Sequence, residues 1–296
     1  MARNIDSVKK PTPNKADKYE LRPGQSTELL KELHILTREG QMNQDSRRKL
    51  KQIYHLMQFI EPLLADMQQQ RPAMNIIDHG AGKSYLGFIL YDLFVKPLAP
   101  QSHIYGIERR ADLVERSQQL AARFGFPGMS FLNLSVAESI TSPALPARPD
   151  MVTALHACDT ATDDAIAFAL ARQAETIVLI PCCQAEVAAM LRQNKARALA
   201  NGALAELWRH ALHTREFGSH LTNVLRCLQL EAHGYQVTVT ELVGWEHSMK
   251  NELIIARRKG TPQKRAGERL NELLRQTGLE DLKERFSGET TLHETP

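Results

Sequence analysis

The sequence predicts an α/β fold built on a mostly parallel, seven-stranded sheet and preceded by a helical extension. Three observations predict it. From residue 74 onward, short apolar runs alternate with helical patterns, as successive βαβ units require. Two β-rich stretches, 235–244 and 251–258, have only "WEHSMK" between them. That is too short for a parallel crossover, so they form an antiparallel hairpin. Before residue 73, apolar residues recur at three- and four-residue steps, the period of a helix.

Residues 1–25 are polar, with Pro11, Pro13 and Pro23 among several lysines, and read as a disordered tail. A helical segment covers 26–72. Its first period starts near Ser26 and carries Leu29, Leu30, Leu33 and Leu36. A longer helix follows, capped by Asp45 or Ser46, with Leu50, Ile53, Leu56, Met57, Ile60, Leu63, Leu64 and Met67 recurring along it. Pro62 is expected to kink or break it. Arg47, Arg48 and Lys49 occupy its first turn, with Lys51 just after. Cations there oppose the helix dipole by roughly 0.3–1 kcal/mol each. A bound phosphate reverses that penalty. The plainer reading is a solvated face balanced by Glu39 and Asp45.

Residues 73–260 hold the sheet. The expected strands are 74–78, 103–107, 130–134, 150–155 and 177–181, followed by the hairpin. Helices are expected at 84–95, 111–124, 161–173 and 185–200. Residues 196–218 exceed a simple connection, and Leu204, Leu207, Trp208 and Leu212 suit a lid or docking helix. Residues 261–296 read as a helical tail, with short helices over 264–286 broken at Gly278 and a frayed end.

Composition narrows the function classes. With 43% hydrophobic residues, the chain can form a core without disulfide or metal staples. No uncharged apolar run reaches about 18 residues, so no membrane span is expected. The first twenty residues lack the apolar region of a secretory signal. Cys158, Cys182, Cys183 and Cys227 lie in or beside apolar segments, which points to a reducing, cytoplasmic setting. The net charge of +3 and pI of 8.6 permit a nucleic-acid partner without demanding one.

The stretch "NIIDHGAGKSYLGFIL" at 75–90 offers two ligand readings. A triphosphate loop needs a glycine five residues before Gly82, where Ile77 stands. The alternative fits: a strand ends in Asp78, Gly80 and Gly82 form a bare-backbone turn, and a helix begins near Ser84. Ser84 occupies the usual third-glycine position. A dinucleotide loop would place glycine at 85, which is Tyr85. Glu108 ends the second strand, where a carboxylate offers two acceptors to a ribose diol. Arg109 beside it, Ser135 after the third strand and Leu155 at the tip of the fourth are further expected cofactor contacts.

Ligands of open α/β sheets sit outside the carboxyl ends of the strands. Strand four leads into His156, Cys158, Asp159, Thr160, Thr162 and Asp163; strand five leads into Pro181, Cys182, Cys183 and Gln184. These two clusters should face each other. His-x-Cys-Asp-x-Ala-Thr-Asp, followed by an apolar-Pro-Cys-Cys run, resembles a group of class I S-adenosylmethionine-dependent methyltransferases. That group includes tRNA acceptor-stem 2′-O-methyltransferases and ribosomal-RNA-adenine-methylase-like proteins. The resemblance covers roughly residues 44–258, although Gln184 replaces a histidine often found there and no accessory zinc-binding segment matches. It implies a Rossmann-like seven-stranded methyltransferase sheet and S-adenosylmethionine as cofactor, but the identity of the substrate does not carry over from it. RNA, methylated at a hydroxyl or a ring nitrogen, is the expected substrate on the independent support of the basic residues that open the second helix. A hydroxyl acceptor needs a general base. His156 and Asp159 are the candidates, and Asp159 alternatively orients the acceptor or holds the cofactor amino group. Asn251 resembles the second residue of a Lys-Asn step in the same group and is a candidate substrate contact. No metal is expected, because adjacent cysteines lack zinc-ligand spacing. A protein or small-molecule substrate, and a non-catalytic cofactor-binding module, stay open as alternatives, as does the oligomeric state.

Overall fold

The computed structural model describes residues 21–155, 159–181, 185–194, 206, 209–241 and 252–287. The chain divides into two compact units, one up to Lys51 and one from Gln52 onward.

In the first unit, α1 spans Thr27–Glu32 and is capped by Ser26, whose Oγ accepts the Leu29 N–H at 3.2 Å. The apolar period continues past the helix into a turn through left-handed His34 (φ 56°), and Leu29, Leu30, Leu33, Ile35 and Leu36 are all buried. Helix α2 (Gln44–Gln70) starts one residue before the expected caps. Asn43 caps it instead, accepting the Ser46 N–H at 2.8 Å. Asp45 is free to pair with Lys49 one turn on, at 2.9 Å.

Pro62 does not break α2. Proline removes one helical hydrogen bond, to the carbonyl four residues earlier. Pro62 and Gln58 both lie on the exposed side, where water can take that carbonyl.

The second unit is built on a seven-stranded sheet in the order β3-β2-β1-β4-β5-β7-β6. The strands are β1 Asn75–His79, β2 His103–Glu108, β3 Met129–Asn133, β4 Met151–Leu155, β5 Thr176–Ile180, β6 Tyr235–Glu241 and β7 Glu252–Arg258. β1 to β5 run parallel; β7 pairs antiparallel with both β5 and β6. The interior strand β5, Thr-Ile-Val-Leu-Ile, is buried throughout, as a strand covered on both faces must be.

Helix α3 (Tyr85–Leu90) continues through a π turn at Tyr91–Val95 into α4 (Lys96–Leu98). Helix α5 (Ala111–Phe124) ends at left-handed Gly125. A short α6 (Val136–Thr141), unforeseen from the sequence, starts from a capping box between Ser135 and Glu138. Helices α7 (Thr160–Ala171) and α8 (Glu186–Asn194) follow β4 and β5. Helix α9 (Ala211–Ala232) takes up the last part of the segment read as a lid, including exposed Leu212. Leu204, Leu207 and Trp208 lie outside the described residues. Helix α10 (Lys264–Thr277) ends at Gly278, and a 3₁₀ turn at Glu280–Leu282 leads into α11 (Lys283–Ser287).

Two apolar clusters hold these layers. Ile77, Val152, Ala154, Ile177 and Leu179 of the sheet pack with Ala165, Ile166 and Phe168 of α7. Val187, Leu191, Leu221, Leu225, Leu270, Leu274 and Phe286 join α8, α9, α10 and α11. Each fully buried side chain of this size contributes ~1.5–3 kcal/mol. At the amino ends of the strands, Arg71 pairs with Asp150 and with Glu175.

Candidate cofactor and acceptor site

The bend after β1 is fixed from three directions. Gly80 (φ 68°) and Gly82 (φ 57°) are left-handed, a conformation glycine adopts without the Cβ penalty. The Ala81 N–H donates to the Ile107 carbonyl at 2.9 Å. The Gly82 N–H donates to Glu108 Oε2 at 2.8 Å. The tips of β1 and β2 are therefore tied together through the loop.

Ser84, in the third-glycine position, is also left-handed, with φ 49° and ψ 41°. It differs from glycine in what its side chain does: Oγ donates to Asp78 Oδ2 at 2.9 Å. Thr153 Oγ1 on neighbouring β4 donates to Asp78 Oδ1 at 3.2 Å. Gly87 lacks the methyl that would collide with Ser84 Oγ. Asp78, only 3% exposed, braces the loop from beneath. Burial pushes its carboxyl up to about 6, with Glu108 adding to the rise and the two hydroxyl donors opposing it.

Strand residues alternate between faces, so His79 points away from Asp78. Its ring lies 5.3 Å from that of Phe168 on α7. It is buried, and neither ring nitrogen has a hydrogen-bond partner. Burial pulls it down to about 4, against the attraction of Glu108.

Glu108 stands beside the bend with its side chain 13% exposed. Its Oε1 accepts from the Arg110 N–H at 3.0 Å and from Arg110 Nε at 3.2 Å. Oε1 thus takes two donors, whereas Oε2, bound to the Gly82 N–H, keeps a second lone pair. A methyl group added to Gly82 would meet nothing nearer than the Arg110 guanidinium at 4.0 Å. Open space over bare backbone, flanked by a two-oxygen acceptor, fits the ribose of an adenosine cofactor. Asn133 Nδ2 fixes the end of β2 by donating to the carbonyls of Glu108 (3.0 Å) and Arg109 (2.8 Å). The Arg109 side chain is exposed, and Leu155 is half-buried at the tip of β4. Ser135 is engaged as the cap of α6: its N–H and Oγ both donate to Glu138 Oε2 at 2.7 Å.

On the acceptor side, His156, Cys158, Cys182, Cys183, Gln184 and Asn251 lie outside the described residues. Asp159 lies within them. Its backbone is left-handed at φ 51°, ψ −117°, a costly conformation for a side-chain-bearing residue. Its Oδ1 accepts the Ala185 N–H at 3.1 Å and the Glu186 N–H at 3.4 Å. The segments after β4 and β5 thus meet, as the sequence suggested. Asp159 serves there as the cap of α8, so this oxygen is committed.

The Asp159 carbonyl accepts from Arg226 Nη2 at 2.8 Å. Arg226, on α9, is fully buried. Its guanidinium holds Asp163 through two bonds, at 2.6 and 2.9 Å. It also donates to Asn223 Oδ1 at 3.2 Å. Asn223 Nδ2 donates to Glu252 Oε2, and Glu252 Oε1 meets His220 Nδ1 at 2.9 Å. Arg226, Asn223, His220 and Glu252 were not singled out from the sequence. Their trace there is an arginine and an asparagine among the apolar residues Leu221, Leu225 and Leu230 of α9. Nearby Asp164 is pushed up to about 6 by burial and by Asp163, against Arg285 and Arg109. Among the described residues, no group of three or more His, Cys, Asp or Glu side chains is placed to hold a metal.

Residues 48–190 match the model of a family described as a methyltransferase domain. The chain carries a class I S-adenosylmethionine-dependent methyltransferase domain. The methyltransferase is also similar to several solved structures. A magnesium protoporphyrin IX methyltransferase from Synechocystis PCC 6803, solved with bound SAH, aligns at 16% identity over 79% of this chain and 96% of that one, with a TM-score of 0.46. An rRNA methylase from Streptococcus thermophilus aligns at 9% identity over 63% and 87%, with a TM-score of 0.38. A fibrillarin/Nop5p complex aligns at 13% identity over 64% and 74%, with a TM-score of 0.37. Alignments this loose carry no argument about substrate. No curated protein matches the methyltransferase. Among the described residues, no helix is long and apolar enough to cross a membrane.

Proposed function

We propose that the methyltransferase acts on RNA, at a hydroxyl or a ring nitrogen. The observation that carries this reading is a rim of three exposed cations on the cofactor loops. Lys83 follows Gly82, and Arg109 and Arg110 follow Glu108. Arg110 reaches over the open bend. Such a rim suits phosphates leading towards the transferred methyl group. Exposed Arg47 and Arg48, near the start of α2, support the same reading. Residues 26–72 would then be an RNA-contacting extension, 73–260 the catalytic domain and 261–296 a helical tail.

S-adenosylmethionine, when bound, supplies an electrophilic methyl group. In this proposal Glu108 accepts from the ribose hydroxyls, and Gly80 and Gly82 let the cofactor lie against bare backbone. Asp78 and Ser84 hold that bend in shape. Arg109 and Leu155 flank the bound nucleoside. Ser135 acts through the cap of α6. Asn251 contacts the acceptor. Asp159 orients the acceptor side, since its Oδ1 is bound to two amides. An imidazole then suits proton removal, His156 being the candidate named by the sequence.

Modified nucleosides from cells with and without the gene, compared by mass spectrometry, test the reading. The expected result is one methylated nucleoside missing without the gene. Label from S-adenosylmethionine that reaches protein or metabolites but no RNA overturns it.

A further inference from the structure

We propose that His220, in place of the His156 named by the sequence, is the residue that takes the proton from the methyl-accepting group, positioned for this by Glu252, Asn223 and Arg226. The inference rests on the methyltransferase reading above and does not depend on the substrate being RNA.

Placement comes first. The β5–β7 register pairs Leu179 with Ile254. Continued by two residues, it sets Glu252 beside Pro181, at the carboxyl end of β5. Helix α9 runs down from that end: at its far end, Tyr235 Oη donates to the Ala174 carbonyl before β5 begins. His220 precedes Arg226 by six residues, which places it about 9 Å nearer the carboxyl edge along the helix. Arg226 itself holds the Asp159 carbonyl. His220 therefore lies at the cofactor edge of the sheet, on the acceptor side.

Orientation comes second. Glu252 is a carboxylate acceptor at 2.9 Å from Nδ1, so Nδ1 carries the hydrogen, and the neutral ring has its lone pair on Nε2. The side chain is 65% exposed and open to a docking substrate.

The construction behind it decides between an incidental surface pair and a built one. An exposed ion pair is screened by water and holds nothing in place. Here the second carboxylate oxygen of Glu252 is held by Asn223, and Asn223 by a buried guanidinium clamped on Asp163. Burying such a pair strips both ions of their hydration, which only close, complete bonding repays. The same Arg226 sets the loop after β4. One buried cation thus fixes both that loop and an exposed imidazole, the base-plus-orienter arrangement of general-base sites.

In the step itself, the acceptor's lone pair forms the new bond to the methyl carbon. The carbon–sulfur pair stays on sulfur. The acceptor's proton passes to Nε2 of His220, and Glu252 balances the resulting charge until water removes the proton.

Two measurements test this. Proton–nitrogen correlation spectra of the protein alone should show His220 as the Nδ1–H tautomer, and E252Q should loosen that preference. This needs neither cofactor nor substrate. An Nε2–H tautomer in the wild type overturns the proposal. The second measurement uses radiolabelled S-adenosylmethionine and separately total RNA and total protein from cells lacking the gene. H220A should lower labelling at least about 100-fold while keeping the melting shift caused by S-adenosylmethionine, and added imidazole should restore about tenfold or more. H213A, an exposed histidine of the same helix, should label like the wild type. H220A labelling within about threefold of the wild type overturns the proposal. Wild-type labelling of protein instead of RNA sinks the RNA reading, and H220A is then judged on the protein fraction.

Discussion

The two halves of the site are built on different scales of sequence. The cofactor half, at the tips of β1 and β2, is assembled from residues 78–84 and 108–110, bound to one another across one short crossover. The acceptor half joins Asp159 to Ala185, Asp163 to Arg226, and His220 to Glu252. Its rigidity comes from one buried guanidinium. A loop that meets a diffusing nucleoside can be shaped by glycines and one acid. A surface that must align two reacting partners is held by a helix that runs along the sheet and grips the segment after β4 through Arg226.

Each half can be broken separately. The largest effect is expected at Arg226. R226M leaves Asp163 and the Asp159 carbonyl without their donor, at a cost of about 3–5 kcal/mol, read by urea unfolding. If R226M unfolds like the wild type, the acceptor half does not depend on this cation. Next is E108A, which removes the partner of the Gly82 N–H. Calorimetry should show S-adenosylmethionine affinity falling at least about tenfold, or ~1.4 kcal/mol, with the acceptor half unaffected.

A smaller effect separates the two roles of Ser84. S84A loses the donor to buried Asp78 and keeps the left-handed strain, at a cost of about 1–3 kcal/mol. S84G loses the same bond but relieves roughly 1–2 kcal/mol of strain. Thermal melting should rank wild type above S84G and S84G above S84A. A reversed order of the two variants would show that the backbone at 84 is not strained.

The smallest effect is in pH dependence. Asp78, raised by burial to about 6, adds stability that is full at low pH and lost as pH rises towards 6. His79, lowered by burial to about 4, adds stability that is full above its usual range near 6.5 and lost as pH falls towards 4. The two slopes oppose each other in one window. Relative to the wild type, D78N should therefore tilt stability upward with pH between about 4 and 6. H79L should tilt it downward with pH between about 4 and 6.5. Unfolding at several pH values checks both slopes.

The same division explains what the sequence disclosed. Gly80, Gly82 and Glu108 were legible because spacing along one βαβ unit fixes where they meet. The hairpin was legible from six intervening residues. That Asp78 is a buried brace was not legible, because one of its two donors, Thr153, reaches it from a strand 75 residues away. The α2 cap moved to Asn43, and α2 ran on through Pro62, because caps and kinks depend on side-chain reach and solvent access. Arg226 and Glu252 were illegible for a related reason: their meaning lies in partners 63 and 29 residues away.

Asp159 is anchored twice, by its carboxylate to the first amides of α8 and by its carbonyl to Arg226. To swing away, the turn after β4 must release three donors at once, including one inside the protein. Amide hydrogens of Ala185 and Glu186 should then exchange with solvent slowly and together, and a substrate would enter a seat already set.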